Sequence, residues 1–245
     1  MFPRQVHAID EERLDIRRQR PENGVLLLEL LPRHTLVLGP GLPAGTALRF
    51  LLAFGFFGGE ALIPLGLTML REVPPTVVGI ALSVAALAWI GASWLQERVD
   101  TYDRGVGRRM RVYVGLGVLI VGILGAGVAI LWSPAPALIT ALAWGVSGFG
   151  IGIAYPASTV MALNAVGAQH SGNAAASLQV AETLGTAVGT GVTTALVASS
   201  MRHDLASSGG VVLAFATAAA AIVVAFIPAV RASLVTRPIP AGYSH

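Results

Sequence analysis

Ser177-Leu178-Gln179-Val180-Ala181-Glu182-Thr183-Leu184-Gly185-Thr186-Ala187-Val188-Gly189 is an apolar helical stretch with a carboxylate set in its middle. Gln179, Glu182, Thr183, Thr186, Thr190 and Thr193 recur at steps of three and four, so they form one polar stripe on a helix. Leu178, Val188, Val192 and Leu196 fall on the other side, suited to lipid or another helix. What such a helix means depends on the solvent around it.

Composition supplies that solvent. Of the 245 residues, 54% are hydrophobic and only 12% are charged, and the mean hydropathy is +0.72. These values lie far from those of a water-soluble domain and define a membrane protein. Six apolar segments, at about 46–70, 76–96, 112–132, 137–161, 174–198 and 210–230, each reach the roughly 20 residues that cross a bilayer's hydrocarbon core. The fold class expected is therefore all-α, a polytopic membrane protein with a six-helix bundle over 46–235. A leader over 1–45 and a tail over 236–245 flank the bundle, and a short interfacial helix is expected near 24–31. The charged first 23 residues do not read as a signal peptide.

Arginine sets the orientation. All sixteen basic residues are Arg, five of them in the 97–111 connection and six in the leader, whereas 71–75 and 199–209 hold one each and 133–136 none. Basic residues stay on the cytoplasmic side, so both termini are predicted to be cytoplasmic and the protein integral to the plasma (inner) membrane. The 164–173 connection, which should share that side, has no Arg. Arg49 and Arg231, at helix ends, read as snorkelling anchors. The basic balance does not point to nucleic acid, because no basic stripe alternates with aromatics. The absence of Cys removes disulfide and thiolate chemistry, and no His or acidic pair has ligand spacing inside a span. No metal and no cofactor are expected.

Turn chemistry at Pro74-Pro75, Ser133-Pro134-Ala135-Pro136 and Ser207-Ser208-Gly209-Gly210 makes neighbouring spans antiparallel. The spacings Gly148-x-x-x-Gly152 and Gly185-x-x-x-Gly189 predict close approach of the fourth and fifth helices to a neighbour. Eleven of the thirteen acidic residues lie outside the spans, leaving Glu60 and Glu182. An acid inside a membrane usually faces the bundle interior or a wet cleft, where it can take up and release a proton. Its other role is as a neutral hydrogen-bond donor between helices. Glu60 sits among Gly55, Gly58 and Gly59, and Pro64 removes the hydrogen bond to its own carbonyl, so a kink is expected there. Tyr155-Pro156 adds a hydroxyl and a second proline to the fourth helix.

Gly145-Val146-Ser147-Gly148 in the fourth of six helices resembles the serine motif of rhomboid intramembrane proteases. A nucleophilic serine needs a base within reach. His7, His34, His170, His203 and His245 all lie outside the spans, so Ser147 reads as a packing residue and the chain is not expected to be an enzyme.

A second resemblance covers about residues 32–235. Gly148-Phe-Gly-Ile-Gly-Ile-Ala-Tyr-Pro-Ala-Ser158 followed by Ala174-Ala-Ala-Ser-Leu-Gln-Val-Ala-Glu-Thr-Leu-Gly-Thr-Ala-Val-Gly-Thr-Gly191 looks like helices ten and eleven of major facilitator superfamily transporters, in the bacterial drug:proton antiporter branch. Phe56-Phe-Gly-Gly-Glu-Ala-Leu-Ile-Pro-Leu65 is similar to helix seven. Gly91-Ala-Ser-Trp-Leu-Gln96 leading into Asp103-Arg104-Gly-Val-Gly-Arg108-Arg109 resembles the C-half copy of the family's helix-eight to helix-nine loop. The resemblance implies one six-helix half of a two-half fold, with Glu60, Glu182, Gln179, Thr186 and Tyr155 at a proton-coupling and substrate cavity. It implies efflux of small amphipathic or drug-like molecules, with protons, the lipid bilayer, and a second six-helix half or a homodimer partner as the other participants. The family's N-terminal half, with its helix-two and helix-five motifs, is not in this sequence. A non-transporting membrane scaffold and an inactive truncated remnant therefore stand as alternatives.

Overall fold

A computed structural model describes residues 40–166, 170–202 and 207–232. Every element among them is helical: α1 Leu42–Met69, α2 Pro75–Tyr102, α3 Arg108–Leu131, α4 Ala137–Asn164, α5 Ser171–Arg202 and α6 Ser207–Ala232. All six are long and apolar enough to cross a membrane, so the chain is an all-α polytopic membrane protein. The region of the expected interfacial helix and the expected tail lie outside the described residues.

Proline marks the helix starts, where its missing N–H is no loss: Pro43 and Pro75 open α1 and α2, and Pro136 caps α4. α1 begins at Leu42, so the last residues of the expected leader belong to the first span. It also continues through Pro64 to Met69 as one helix. α2 runs six residues past the expected end at 96, to Tyr102.

The packing follows a rule of exchange. α1 lies mainly against α5 and α6, whereas α4 lies mainly against α2 and α3. α1 and α4 cross each other, α3 meets α6, and swapping α1 with α4, α2 with α5 and α3 with α6 reproduces most of this arrangement. Two three-helix repeats thus trade partners through their first helices. Because equivalent helices are offset by three spans, an odd number, the second repeat is inverted across the membrane relative to the first. The sequence carries a trace of it: Phe57-Gly58 precedes Pro64 as Phe149-Gly150 precedes Pro156, at the same spacing.

Lipid offers helices no hydrophobic drive to associate, so backbone proximity and interhelical hydrogen bonds hold the bundle. A Cβ at Gly185 or Gly189 would collide with the carbonyls of Phe50 and Phe54 on α1. A Cβ at Gly148 or Gly152 would collide with those of Ala85 and Trp89 on α2. Each glycine pair therefore makes the close approach its spacing predicts. Each repeat adds a hydroxyl staple: Thr193 Oγ1 donates to Gly58 O at 3.0 Å, and Ser93 Oγ to Gly152 O at 3.2 Å. On the outer side of α2, Leu87, Ile90, Trp94 and Leu95 are exposed, as lipid-facing residues are.

Two clamps fix the ends. Arg71 donates to Ala129 O and Trp132 O at 2.9 Å each, and to Ala135 O, tying the α1–α2 turn to carbonyls at the end of α3 and in the α3–α4 turn. The α2–α3 corner, at the other end of α2, holds an ionic cluster described below.

Candidate functional site

Site geometry begins with the register of α1 on α5. Phe50 meets Gly185, Phe54 meets Gly189, and Gly58 meets Thr193, a constant offset along parallel helices. That offset puts Glu182 level with Ala47 and Glu60 level with Ala195, so the two carboxylates stand 13 residues, about 20 Å, apart along the bundle. They do not form one site. Both are part-exposed in the isolated chain, and each keeps different company.

Glu182 belongs with Arg49 and Tyr155. Arg49 is only 3% exposed, which overturns its reading as a snorkelling anchor. Seven residues inside α1, it faces the crossing with α4, and its guanidinium stacks 3.6 Å above the centre of the Tyr155 ring. Its Nη2 donates to Thr159 Oγ1, whose own hydroxyl donates to Tyr155 O at 2.8 Å. The register of α5 on α1 sets Glu182 two residues from the level of Arg49, where its charge acts through space on the guanidinium and the phenol. α1 and α4 thus meet in a guanidinium stacked on a phenol, with Glu182 of α5 near their level. Arg49 Nε and Nη1 are buried without an acceptor among the described residues, an arrangement that costs about 1–3 kcal/mol per group where nothing compensates.

Aromatic rings continue inward from this cluster. Trp89 of α2 lies 5.6 Å from Tyr155, 5.1 Å from Phe56 and 6.1 Å from Phe57, ring centre to ring centre. Phe56 stacks on Trp144 at 5.2 Å with planes 16° apart. Trp144 is fully buried under Gly59, where a Cβ would stand 3.0 Å from its ring. Arg49, Phe56 and Glu60, at i, i+7 and i+11, share this face of α1. The crossing of α1 and α4 is accordingly charged at one end, aromatic in the middle, and flanked by Glu60 further along.

The rest of the α5 stripe divides. Gln179 and Thr183 are exposed, and Thr183 Oγ1 turns back to Gln179 O at 3.0 Å. Thr186 and Thr190 are part-exposed, while Thr193 is sealed against α1. Of the residues expected to meet lipid or another helix, Leu178 is 4% exposed and takes the second course, on the inward face with Ala181 and Gly185. Ser147 is fully buried where α4 crosses Gly122 of α3, and its Oγ has no partner among the described residues.

The loop residues read from sequence form a separate construction. The Asp103 carboxylate accepts Gly105 N–H at 2.9 Å, Gly107 N–H at 3.0 Å and Arg111 Nη1 at 2.6 Å. Hydrogen bonding from Arg111, aided by the Gly105 and Gly107 amides, holds this carboxyl below its ordinary value. Asp100 accepts both Arg108 Nε, at 2.7 and 2.9 Å, and Arg111 Nη2. Arg104 and Gly105 have φ of 52° and 81°, so the turn needs a glycine at its second left-handed position. At Gly107 a Cβ would sit 2.7 Å from Asp103 Oδ2 and block the amide. Arg109 instead donates from Nε to Tyr113 Oη at 2.9 Å. Asp100 and Arg111 are the members the sequence motif missed.

Comparison with protein-family models and with curated proteins gives no match. The class that the fold defines is a six-span helical membrane protein with ionisable groups inside the bundle.

Proposed function

We propose that this chain is one six-helix half of a proton-coupled exporter of small amphipathic molecules, of the major facilitator type its motifs resemble. The observation that carries the reading is buried Arg49 stacked on Tyr155 near the level of Glu182, where two exchanged three-helix repeats meet. Inverted repeats with ionisable groups at their interface are the architecture of secondary transporters. Glu182 takes up the coupling proton, Gln179, Thr186 and Tyr155 line the solute's way along α5 and α4, and Glu60 serves a second protonation step nearer the other end. Both termini lie in the cytoplasm and the bundle sits in the plasma (inner) membrane. A second six-helix half, or a second copy of this chain, supplies the facing wall.

The test is proton-driven efflux of a fluorescent lipophilic cation from vesicles carrying the chain, alone and with a co-expressed N-terminal half. Activity that Glu182→Gln lowers at least about a hundredfold at equal expression supports transport. No activity in any combination overturns it, and the non-transporting scaffold then takes its place. The open polar face of α5, with Gln179 and Thr183 exposed, would in that case be its docking surface.

A further inference from the structure

We propose that the α2–α3 corner, with the groove it closes on the outer face of α4, binds an anionic phospholipid: Arg98, Arg104 and Arg109 take the headgroup phosphate, and the apolar groove takes an acyl chain. The inference stands independently of the transport reading.

The groove follows from the packing. α2 and α3 each lie along α4 and scarcely touch each other. α4 turns Trp144 to α1, Gly148 and Gly152 to α2, and Ser147 and Gly150 to α3. Its remaining face, where Leu142, Val146 and Phe149 are exposed, therefore lies between α2 and α3 on the side away from α1. Val114 and Val121 of α3, about two turns apart, are exposed beside it, as is Leu95 of α2. At Gly91 and Gly117 an added Cβ would meet nothing, so neither wall is covered from within the described chain. An apolar furrow between two spans suits a hydrocarbon chain.

Charge marks one end of the groove. Five arginines gather between 97 and 111, and Asp100 and Asp103 engage only Arg108 and Arg111 among them. Among the described residues no carboxylate pairs with Arg98, Arg104 or Arg109. Glu97, next to Arg98 in sequence, stands about 100° round the helix from it. The Arg98 guanidinium lies 3.6 Å above the Trp94 ring and that of Arg109 lies 5.5 Å from the Tyr113 ring centre. A guanidinium can rest on an aromatic ring and still offer N–H groups to a phosphate. Between these cations Tyr102 is 92% exposed and Val106 88%, with Met110 beside them. Unpaired guanidiniums interleaved with bare apolar side chains match the boundary where acyl chains give way to phosphates. A phospholipid supplies both the negative charge and the hydrocarbon, whereas free phosphate supplies only the first. A zwitterionic headgroup sets a cation beside its phosphate, so a net-anionic one is favoured.

Trp94, under Arg98, provides the reporter. The full chain is reconstituted in phosphatidylcholine vesicles containing a rising fraction of brominated phosphatidylglycerol or of brominated phosphatidylcholine. Bromine quenches nearby indoles, and the share of quenching lost in Trp94→Phe measures occupancy beside Arg98. The wild-type chain should prefer phosphatidylglycerol at this position by at least about tenfold, since each guanidinium near the phosphate can add up to about fivefold. Arg98, Arg104 and Arg109 are exposed, so the triple variant Arg98→Gln, Arg104→Asn, Arg109→Gln should fold and lose the preference. Asn suits the left-handed backbone at position 104. Where the triple variant does not fold, Arg98→Gln with Arg104→Asn should still lower the preference by about fivefold or more. Gly91→Leu with Gly117→Leu fills the groove and leaves every charge in place, and should weaken quenching by phosphatidylglycerol severalfold. Equal binding of the two lipids by the wild-type chain overturns the proposal, as does a preference that survives the arginine substitutions. Groove filling without effect would reduce the site to diffuse surface charge and overturn it too. Displacement of the brominated lipid by soluble glycerol phosphate would reassign the arginines to a free phosphate, and the lipid would be rejected.

Discussion

Single residues here are read best through their backbone partners, and Asp103 shows how. Its carboxylate closes a turn on Gly105 and Gly107 and receives Arg111 from the next helix. A carboxyl whose value is depressed in the folded state stabilises that state above its unfolded value and loses the contribution as pH falls through the folded one. Acidification below about pH 4 should therefore release the Gly105 and Gly107 amides. Hydrogen exchange at these two sites checks it: Asp103→Ala should show the unprotected rate already at neutral pH, and equal protection in both proteins would refute the role. The glycines and Asp103 of this turn are legible in sequence because each has a local reason. Asp100 and Arg111 are not, because their partnership exists only once the ends of α2 and α3 meet. Arg49 escaped for a different reason. An arginine near the start of an apolar run looks the same whether it snorkels or is buried, and only its place at i, i+7 and i+11 with Phe56 and Glu60 hinted at an inward face.

At the scale of elements, the six spans were legible because hydropathy reports the solvent directly, and their limits were displaced where ion pairs intervene. The cluster of Asp100 with Arg108 and Arg111 offsets the polar cost of the α2 terminus and lets the helix run to Tyr102. Among the glycines, spacing told which ones pack but not against what. Gly148 lies on the backbone of Ala85, whereas Gly117 in α3 has open space where a Cβ would go. Gly148→Ala should thus destabilise by about 1–3 kcal/mol, since backbone cannot yield as a side chain can. Gly117→Ala should be neutral or stabilise by up to about 1 kcal/mol through helix propensity. Unfolding in mixed micelles measures both, and a reversed order would contradict the α2–α4 contact.

The whole molecule is two three-helix repeats that exchange their leading helices, and that is the part the sequence showed least. A shared Phe-Gly and Pro spacing is too slight a signal to announce a repeat, and the exchange itself depends on long-range packing. Since the chain has no cysteine, each introduced thiol is a unique topological probe. Arg104→Cys should react with an impermeant maleimide only from the cytoplasmic face of right-side-out and inverted vesicles compared, and Ser133→Cys only from the opposite one. Labelling of both from one face would invalidate the six-span threading. The glycine row of α5 on α1 bears on assembly as well. α5 is the least apolar of the six spans, so it is the one with the weakest claim on hydrocarbon when it leaves the ribosome. Its narrow glycine edge matches the carbonyl edge of Phe50 and Phe54, which entered the bilayer long before it. The seating of α5 in the bundle therefore depends on that edge staying narrow, and a larger side chain at Gly185 or Gly189 should push it off α1.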